Sequence, residues 1–357
     1  MRVVTVIGNR PQFVKAAAVS RRLRAEHHEL LVHTGQHYDD ELSGIFLREL
    51  DVPRPEVELG IGGGSNAAQT AAMLAALAPV LEREGPDAVI VYGDTNSTLA
   101  GGLAAAQGSL PVAHVEAGMR SFDPAMPEEL NRVLTDHLST LLLCSSEAAA
   151  EQLGREGVMG RVEVVGDVMV DVALALQPRA RERTEALARY GLEPGRFLLA
   201  TAHRAANVDD PDRLARLVEV LTGVPGRVLV ALHPRTRERL ERYGMLERLT
   251  GPESVTVTPP LGYLDFTTLL CHARAVLTDS GGVQKEAYLA GVPCLTLRDR
   301  TEWVETVDTG WNTLVDLDRE AVLAALERPA PAERPPLYGD GEAGRRVVAA
   351  LARLAGR

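Results

Sequence analysis

Short apolar runs alternate with segments of helical period from one end of this chain to the other, and that alternation restricts the fold more than any other feature. Apolar runs separated by whole helical segments cannot pair as hairpins, so they form a parallel sheet with helical crossovers. The first half predicts strands over 3–7, 30–33, 88–92, 112–115, 141–144 and 162–165. The second half predicts them over 197–200, 228–232, 255–257, 275–277 and 294–297. Gly166-Asp167, with a helix ending near Gln177-Pro178, makes a hinge after residue 168. The expected class is α/β, with two doubly wound Rossmann-like domains facing a cleft. Polar residues directly follow the apolar runs: Gly8-Asn9-Arg10, Gly35-Gln36-His37, Gly93-Asp94, Glu116, Ser145, His203-Arg204, His233 and Asp279-Ser280. In open α/β sheets the carboxyl ends of the strands line the ligand crevice.

A chain of 357 residues suits two domains, and 45% hydrophobic with 24% charged residues fits a globular protein. The longest apolar stretch, 71–81, is too short to cross a bilayer, and the N-terminus reads as a strand rather than a signal peptide. A net charge of −11 argues against a nucleic-acid binder. Cys144, Cys271 and Cys294 are far apart and read as buried residues of a reducing compartment, which makes the expected location cytoplasmic. Only two lysines, Lys15 and Lys285, stand against 36 arginines, so each marks a place where a compact ammonium suits better than a guanidinium, or is a chance survivor of an arginine-biased composition.

Asp279-Ser280-Gly281-Gly282-Val283-Gln284-Lys285-Glu286 follows a predicted strand and opens a helix. Its turn exposes backbone N–H groups at the positive end of that helix, where a diphosphate can sit, and Glu286 one turn on can take a ribose hydroxyl. A tight turn with ordinary capping accounts for the same residues. Gly8-Asn9-Arg10-Pro11-Gln12-Phe13-Val14-Lys15 opens the first strand–helix unit, with Pro11 at the first helical position and Lys15 a turn later. Arg10 is placed to reach a phosphate from the opposite domain; a capped helix with a solvated lysine is the plainer alternative. Gly60-Ile61-Gly62-Gly63-Gly64-Ser65 fails the dinucleotide spacing and lacks a following acidic strand end, which argues against nicotinamide chemistry. Asp94, Glu116 and Glu128 are candidates for proton transfer, although favourable interaction with a helix N-terminus explains one of Glu128 and Glu129. His203 and His233 can assist a leaving phosphate or orient a sugar, although His233, followed by Pro234, is explained nearly as well as a structural turn residue. No motif demands a metal or other cofactor.

Taken together, Gly8-x-Arg10-Pro11-x-x-x-Lys15, Gly93-Asp94-Thr95, His114-Val115-Glu116-Ala117-Gly118-Met119-Arg120, Pro127-Glu128-Glu129-x-Asn131-Arg132, Ala202-His203-Arg204, Asp279-Ser280-Gly281-Gly282-Val283-Gln284-x-Glu286 and Tyr338-Gly339-Asp340-Gly341 resemble the non-hydrolysing UDP-N-acetylglucosamine 2-epimerases over the whole chain. The resemblance implies a GT-B-type fold in which the last helix, 342–357, crosses back to the domain of 1–168 and leaves 169–341 as the second. It implies inversion at C2 of a UDP-2-acetamido sugar, by elimination of UDP to a 2-acetamidoglucal and re-addition, in the supply of cell-surface polysaccharide precursors. By matching position, Arg10, Ser280, Gly281 and Gly282 hold the diphosphate, Lys15 lies against the substrate, Glu286 takes the ribose, and Leu261 and Phe266 flank the uracil. Asp94, Glu116 and Glu128 share proton transfer, and His203 stabilises departing UDP. It implies a homodimer and no cofactor.

Gln12, Ala206 and Trp303 depart from the family's common residues. Pro11-Gln12-Phe13, Tyr92-Gly93-Asp94-Thr95-Asn96-Ser97 and Thr301-Glu302-Trp303-Val304-Glu305 look closer to a subgroup acting on UDP-2,3-diacetamido-2,3-dideoxyglucuronate. Gln36 and His37 match part of the family's activator site, but Asp39 and Gly62–Gly64 replace typical contacts, so weak or absent activation by a second UDP-N-acetylglucosamine is expected. The competing readings are a glycosyltransferase, a hydrolysing epimerase and a non-catalytic UDP-sugar sensor.

Overall fold

The computed structural model describes residues 1–36 and 52–355, so the expectations attached to His37 and Asp39 lie outside the described residues. The chain forms two compact units, Met1–Val172 with Tyr338–Arg357, and Ala173–Leu337. The first holds a seven-stranded sheet in the order β3-β2-β1-β4-β5-β6-β7 among the described residues. Its strands are β1 (Arg2–Ile7), β2 (His28–His33), β3 (Val57–Glu58), β4 (Ala88–Tyr92), β5 (Val112–Ala117), β6 (Leu141–Cys144) and β7 (Arg161–Val164). The second holds a six-stranded sheet, β10-β9-β8-β11-β12-β13. Here β8 is Phe197–Thr201, β9 Arg227–Ala231, β10 Val255–Thr258, β11 Ala275–Thr278, β12 Cys294–Thr296 and β13 Asn312–Leu314. Every recorded pairing is parallel.

The expected doubly wound α/β class is present twice, in the same strand order. In each sheet the direction of winding reverses once, beside β1 and β4 in the first and beside β8 and β11 in the second. The loops at such a switch point leave in opposite directions, and the gap they leave is where open α/β sheets bind ligands.

Burial on both faces explains the continuously apolar runs. Successive residues of β8 point to opposite sides of the sheet. Leu198 and Ala200 pack with Leu214, Leu217 and Leu221 of helix Pro211–Gly223. Phe197 and Leu199 pack with Leu269 and Leu270 of helix Tyr263–His272 and Ala287 of helix Gly281–Ala290. In the first unit Val4, Val6, Val89 and Val91 meet Met73 and Leu77 of helix Asn66–Glu84 and Ala100 of helix Asn96–Gln107. Each fully buried Leu, Val or Phe contributes about 1.5–3 kcal/mol.

The structure departs from the sequence expectation in three places. β3 and β13, both edge strands of two or three residues, escaped notice because such short pieces carry no readable period. Helix Val168–Glu182 runs through Pro178 instead of ending near it. Proline removes one helical hydrogen bond there, but Leu176 and Ala180 are buried on either side and Arg181 donates to the Ala290 carbonyl at 2.6 Å, so the segment stays anchored. Finally, β5 continues to Ala117, so Glu116 lies inside a strand end rather than beyond it.

Candidate active site

At the first unit's switch point β1 ends at Ile7, and Gly8 follows because nothing larger fits. A Cβ at Gly8 would stand 2.0 Å from Ser97 Oγ and 2.3 Å from Thr34 Oγ1. Asn9 then caps helix Arg10–Glu26 by accepting from the Gln12 N–H, with Pro11 in the first turn. The buried Gln12 amide bridges the ends of β1 and β4. Its Oε1 accepts the Gly8 N–H at 2.7 Å, and the two hydrogens of its Nε2 are shared among the Tyr92 carbonyl at 2.8 Å, Thr98 Oγ1 at 2.9 Å and Thr95 Oγ1 at 3.0 Å. Arg10 is the first residue of this helix, and its side chain lies outside the described set.

Lys15, one turn further along, is ion-paired with Glu116. Burial pulls the Lys15 ammonium down, but Glu116, Asp94 and Asp167 outweigh it and leave its pKa raised, so it is charged. Glu116 occupies an irregularity in β5, where the register to β6 slips between Val115 and Ala117 and its φ is +71°. A left-handed backbone at a non-glycine residue costs about 1–3 kcal/mol. The bulge re-aims a side chain at the sheet's carboxyl end, where a functional group is useful.

Asp94 follows β4 and is gripped from helix Pro127–Leu138. Arg132 donates to its Oδ2 from Nη2 at 2.7 Å and Nε at 3.1 Å, and Asn131 donates to its backbone carbonyl at 3.0 Å. The adjacent glutamates of that helix have different fates. Burial raises the Glu129 carboxyl, but the Ser121 N–H and hydroxyl, the Phe122 N–H and Arg132 more than compensate and hold it low. Glu129 is therefore committed to holding the loop before the helix, whereas Glu128 is exposed in the first turn.

At the second unit's switch point the bridge is a carboxylate. Asp279, fully buried at the end of β11, accepts the His203 N–H at 3.0 Å, the Arg204 N–H at 2.9 Å and Asn207 Nδ2 at 3.0 Å. It thereby fixes the loop after β8. Ser280 is the N-cap position of helix Gly281–Ala290 but makes no side-chain cap bond, so the helix presents its first N–H groups at the switch point. The indole of Trp303 approaches from the side, where a Cβ at Gly281 would lie 3.0 Å from Trp303 Nε1. Lys285 Nζ stands 4.3 Å from that ring's centroid.

Glu286 lies one turn into the same helix. Burial pushes its carboxyl up to about 7, against the hydrogen bond from Tyr263 Oη at 3.0 Å and the charge of Lys285. Leu261, in the loop after β10, and Phe266 on helix Tyr263–His272 are half-buried and pack against the core of this unit. His203 stacks on His233 with centroids 5.1 Å apart. Burial keeps its pKa below 6.5 despite Asp279, with Arg204 and Arg235 acting in the same direction, so at neutral pH its ring is uncharged and can donate or accept.

The structure thus gathers Lys15, Asp94 and Glu116 at one switch point and His203, Ser280, Gly281, Gly282 and Glu286 at the other. Sequence reasoning assigned no role to Gln12, Asp279, Asn131, Arg132 or Tyr263. Asp279, Asn131 and Arg132 stand inside the quoted motifs, but the partners that set their roles at the switch points, Asp94 for Asn131 and Arg132 and the His203–Arg204 backbone for Asp279, are tens of residues away. Gln36 is engaged by the Ser97 N–H at 3.1 Å and hydroxyl at 2.7 Å. Among the described residues no group of three His, Cys, Asp or Glu is placed to hold a metal ion.

Comparison with known proteins adds an independent line. A family model described as UDP-N-acetylglucosamine 2-epimerase matches residues 21–352. The chain is 44% identical to a Methanococcus maripaludis UDP-N-acetylglucosamine 2-epimerase homolog, covering 99% of this chain and 100% of that protein. It is also 44% identical, over the same shares, to a Pseudomonas aeruginosa UDP-2,3-diacetamido-2,3-dideoxy-D-glucuronate 2-epimerase. The crystal structure of Methanocaldococcus jannaschii UDP-GlcNAc 2-epimerase in complex with UDP-GlcNAc and UDP matches with a TM-score of 0.89 at 39% identity, covering 99% of this chain and 100% of that one.

Proposed function

The chain belongs to the UDP-N-acetylglucosamine 2-epimerase family, and we propose that it interconverts UDP-N-acetylglucosamine and UDP-N-acetylmannosamine without hydrolysing either. The C2 proton is not acidic, because no carbonyl is adjacent, so direct proton exchange is closed. In the elimination a base takes the C2 proton while the C1–O bond breaks and its electron pair leaves with UDP, giving a 2-acetamidoglucal. Re-addition of UDP at C1, with C2 protonated on the other face, gives the epimer. The sequence is redox-neutral and balances without a hydride carrier.

The observation that carries this reading is the cluster of Asp94 and Glu116 about one buried ammonium, Lys15, at the first unit's switch point. A transferase needs one base for its acceptor, whereas epimerisation needs acid/base groups for two faces. Asp94, Glu116 and Glu128 share those transfers in this proposal. Ser280, Gly281 and Gly282 take the diphosphate on the uncapped helix N-terminus, Arg10 supplies a cation to it, Glu286 takes the ribose, and Leu261 and Phe266 flank the uracil. His203 stabilises the charge that develops on departing UDP. The reading includes a cytoplasmic homodimer. Support for the location is that the three cysteines are free and buried, and that no described helix is long and apolar enough to cross a membrane.

A second reading, that the sugar is UDP-2,3-diacetamido-2,3-dideoxyglucuronate, is favoured by Trp303 and by the equal identity to the Pseudomonas aeruginosa relative. It uses the same C2 chemistry. The test is NMR of UDP-N-acetylglucosamine incubated with the protein in heavy water. Deuterium at C2 with formation of UDP-N-acetylmannosamine is expected. An unchanged, protonated substrate, followed by exchange on the 3-acetamido uronate, moves the assignment to the second sugar. Added UDP-N-acetylglucosamine is expected to give no sigmoidal rate curve.

A further inference from the structure

We propose that His114 is a buried imidazolium and that, with Asp136, it forms a positioning device that sets both Asp94 and Glu116. The inference rests on the epimerase reading for its kinetic consequence but not for its chemistry. His114 lies on β5 and is fully buried, as is Asp136 on helix Pro127–Leu138. Its Nε2 stands 2.7 Å from the Gly93 carbonyl oxygen, which can only accept, so Nε2 carries a proton. Its Nδ1 stands 2.7 Å from Asp136 Oδ1.

The second oxygen of Asp136 already receives Arg120 Nη1 at 2.8 Å and the Gly118 N–H at 3.1 Å. Arg120 in turn pairs with Glu156 through Nε at 2.8 Å and Nη2 at 2.6 Å. A carboxylate facing a guanidinium and a backbone donor is ionised. Burial opposes this, but the Arg120 guanidinium and the Gly118 N–H favour the ionised form without any help from His114. An ionised carboxylate has no proton to give, so Nδ1 of His114 supplies one as well. The result is an alternating chain of Glu156, Arg120, Asp136 and His114 with no net charge, the arrangement in which buried ions are tolerated.

The position of this chain gives it a task. Asp136 grips residue 114 through the imidazole and residue 118 through its backbone, two places before and two after Glu116. It therefore clamps the bulge that holds Glu116 at φ +71°. The other face of the same imidazole holds the carbonyl of Gly93, the residue before Asp94. One carboxylate thus sets the backbone on which two proton-transfer groups stand, without itself touching a substrate.

The test pairs spectroscopy with one isosteric change. In the wild-type protein at neutral pH, ¹⁵N NMR of the histidine rings is expected to show His114 with two protonated nitrogens; a neutral ring overturns the proposal whatever the activity. In Asp136→Asn the amide can donate to Nδ1 while its oxygen still accepts from Arg120, so contacts persist and the imidazole becomes neutral. Turnover is expected to fall at least tenfold, with KM and UDP affinity within about twofold, and the His114 ¹⁵N signals to move to the neutral pattern. His114→Gln, which retains a donor toward Gly93, is expected to show the same split if Asp136→Asn does not fold. Wild-type turnover in either folded variant overturns the positioning role. An imidazolium in a wild-type protein that epimerises no UDP-sugar would sink the functional reading and leave the charge assignment standing.

Discussion

The two switch points are built on one strand order but distribute charge in opposite ways. In the first, the bridge between β1 and β4 is the neutral amide of Gln12, and the charged groups Lys15, Asp94 and Glu116 are left over for chemistry. In the second, the bridge between β8 and β11 is itself a charge, the buried carboxylate of Asp279. What it leaves for a ligand is an uncharged turn, Ser280-Gly281-Gly282, with backbone donors at a helix start. The topology fixes where a ligand can sit. On the proposed function, which residue commits its charge to the scaffold decides whether the site moves protons or holds an anion.

The comparison can be broken by mutation. The largest effect is expected from Glu116→Gln and Asp94→Asn, each lowering C2 exchange about 10²–10⁴-fold, as loss of a general acid or base does; a variant within tenfold of wild type would remove that residue from the proton path. Next comes Gly281→Val. Its Cβ falls 3.0 Å from Trp303 Nε1, so the indole must give by a few tenths of an ångström while the two γ-methyl groups crowd the turn, and UDP affinity measured by titration calorimetry is expected to weaken on the order of tenfold to a hundredfold.

Glu286 sharpens the contrast through pH. Burial pushes its carboxyl up to about 7, and ribose hydroxyl donors favour its ionised form. With Glu286 on the ribose as proposed, UDP affinity is expected to be greatest above pH 7 and to fall as pH drops through it, by at most about tenfold per unit. Glu286→Gln should flatten that profile, and an unchanged slope would detach Glu286 from the nucleotide. The smallest effects concern the bridges. Gln12→Leu strands the Gly8 N–H, and Asp279→Asn turns an amide donor toward backbone donors. Each is expected to cost about 1–3 kcal/mol of stability by denaturant titration. Loss below about 0.5 kcal/mol would mean that the loops hold themselves.

The core strands were legible because a strand buried on both faces is apolar almost throughout, as β4 and β6 are. The polar residues at their carboxyl ends were legible for the same reason, since they break the run. What escaped was whatever depends on a distant partner. The Nε2 bonds of Gln12 reach residues 80 to 86 positions away, and those of Asp279 to the His203 and Arg204 backbones reach 76 and 75. Neither residue type announces which backbone it will bind. Why Glu129 rather than Glu128 is committed to the scaffold was not legible either: the rotation between two consecutive helical residues puts one into the Ser121–Phe122 loop and the other into solvent. The bulge at Glu116 left no mark either, because the Asp136 carboxylate that receives the Gly118 N–H beyond it lies on another element.

Titration of UDP into wild-type protein and into the Asp94→Asn/Glu116→Gln double variant, beside C2 deuterium exchange on the same samples, tests the division of labour most directly. The account predicts UDP affinities within about threefold of each other while exchange in the double variant falls below detection. Loss of UDP binding together with exchange would contradict it, because the anion would then depend on the groups assigned to the proton.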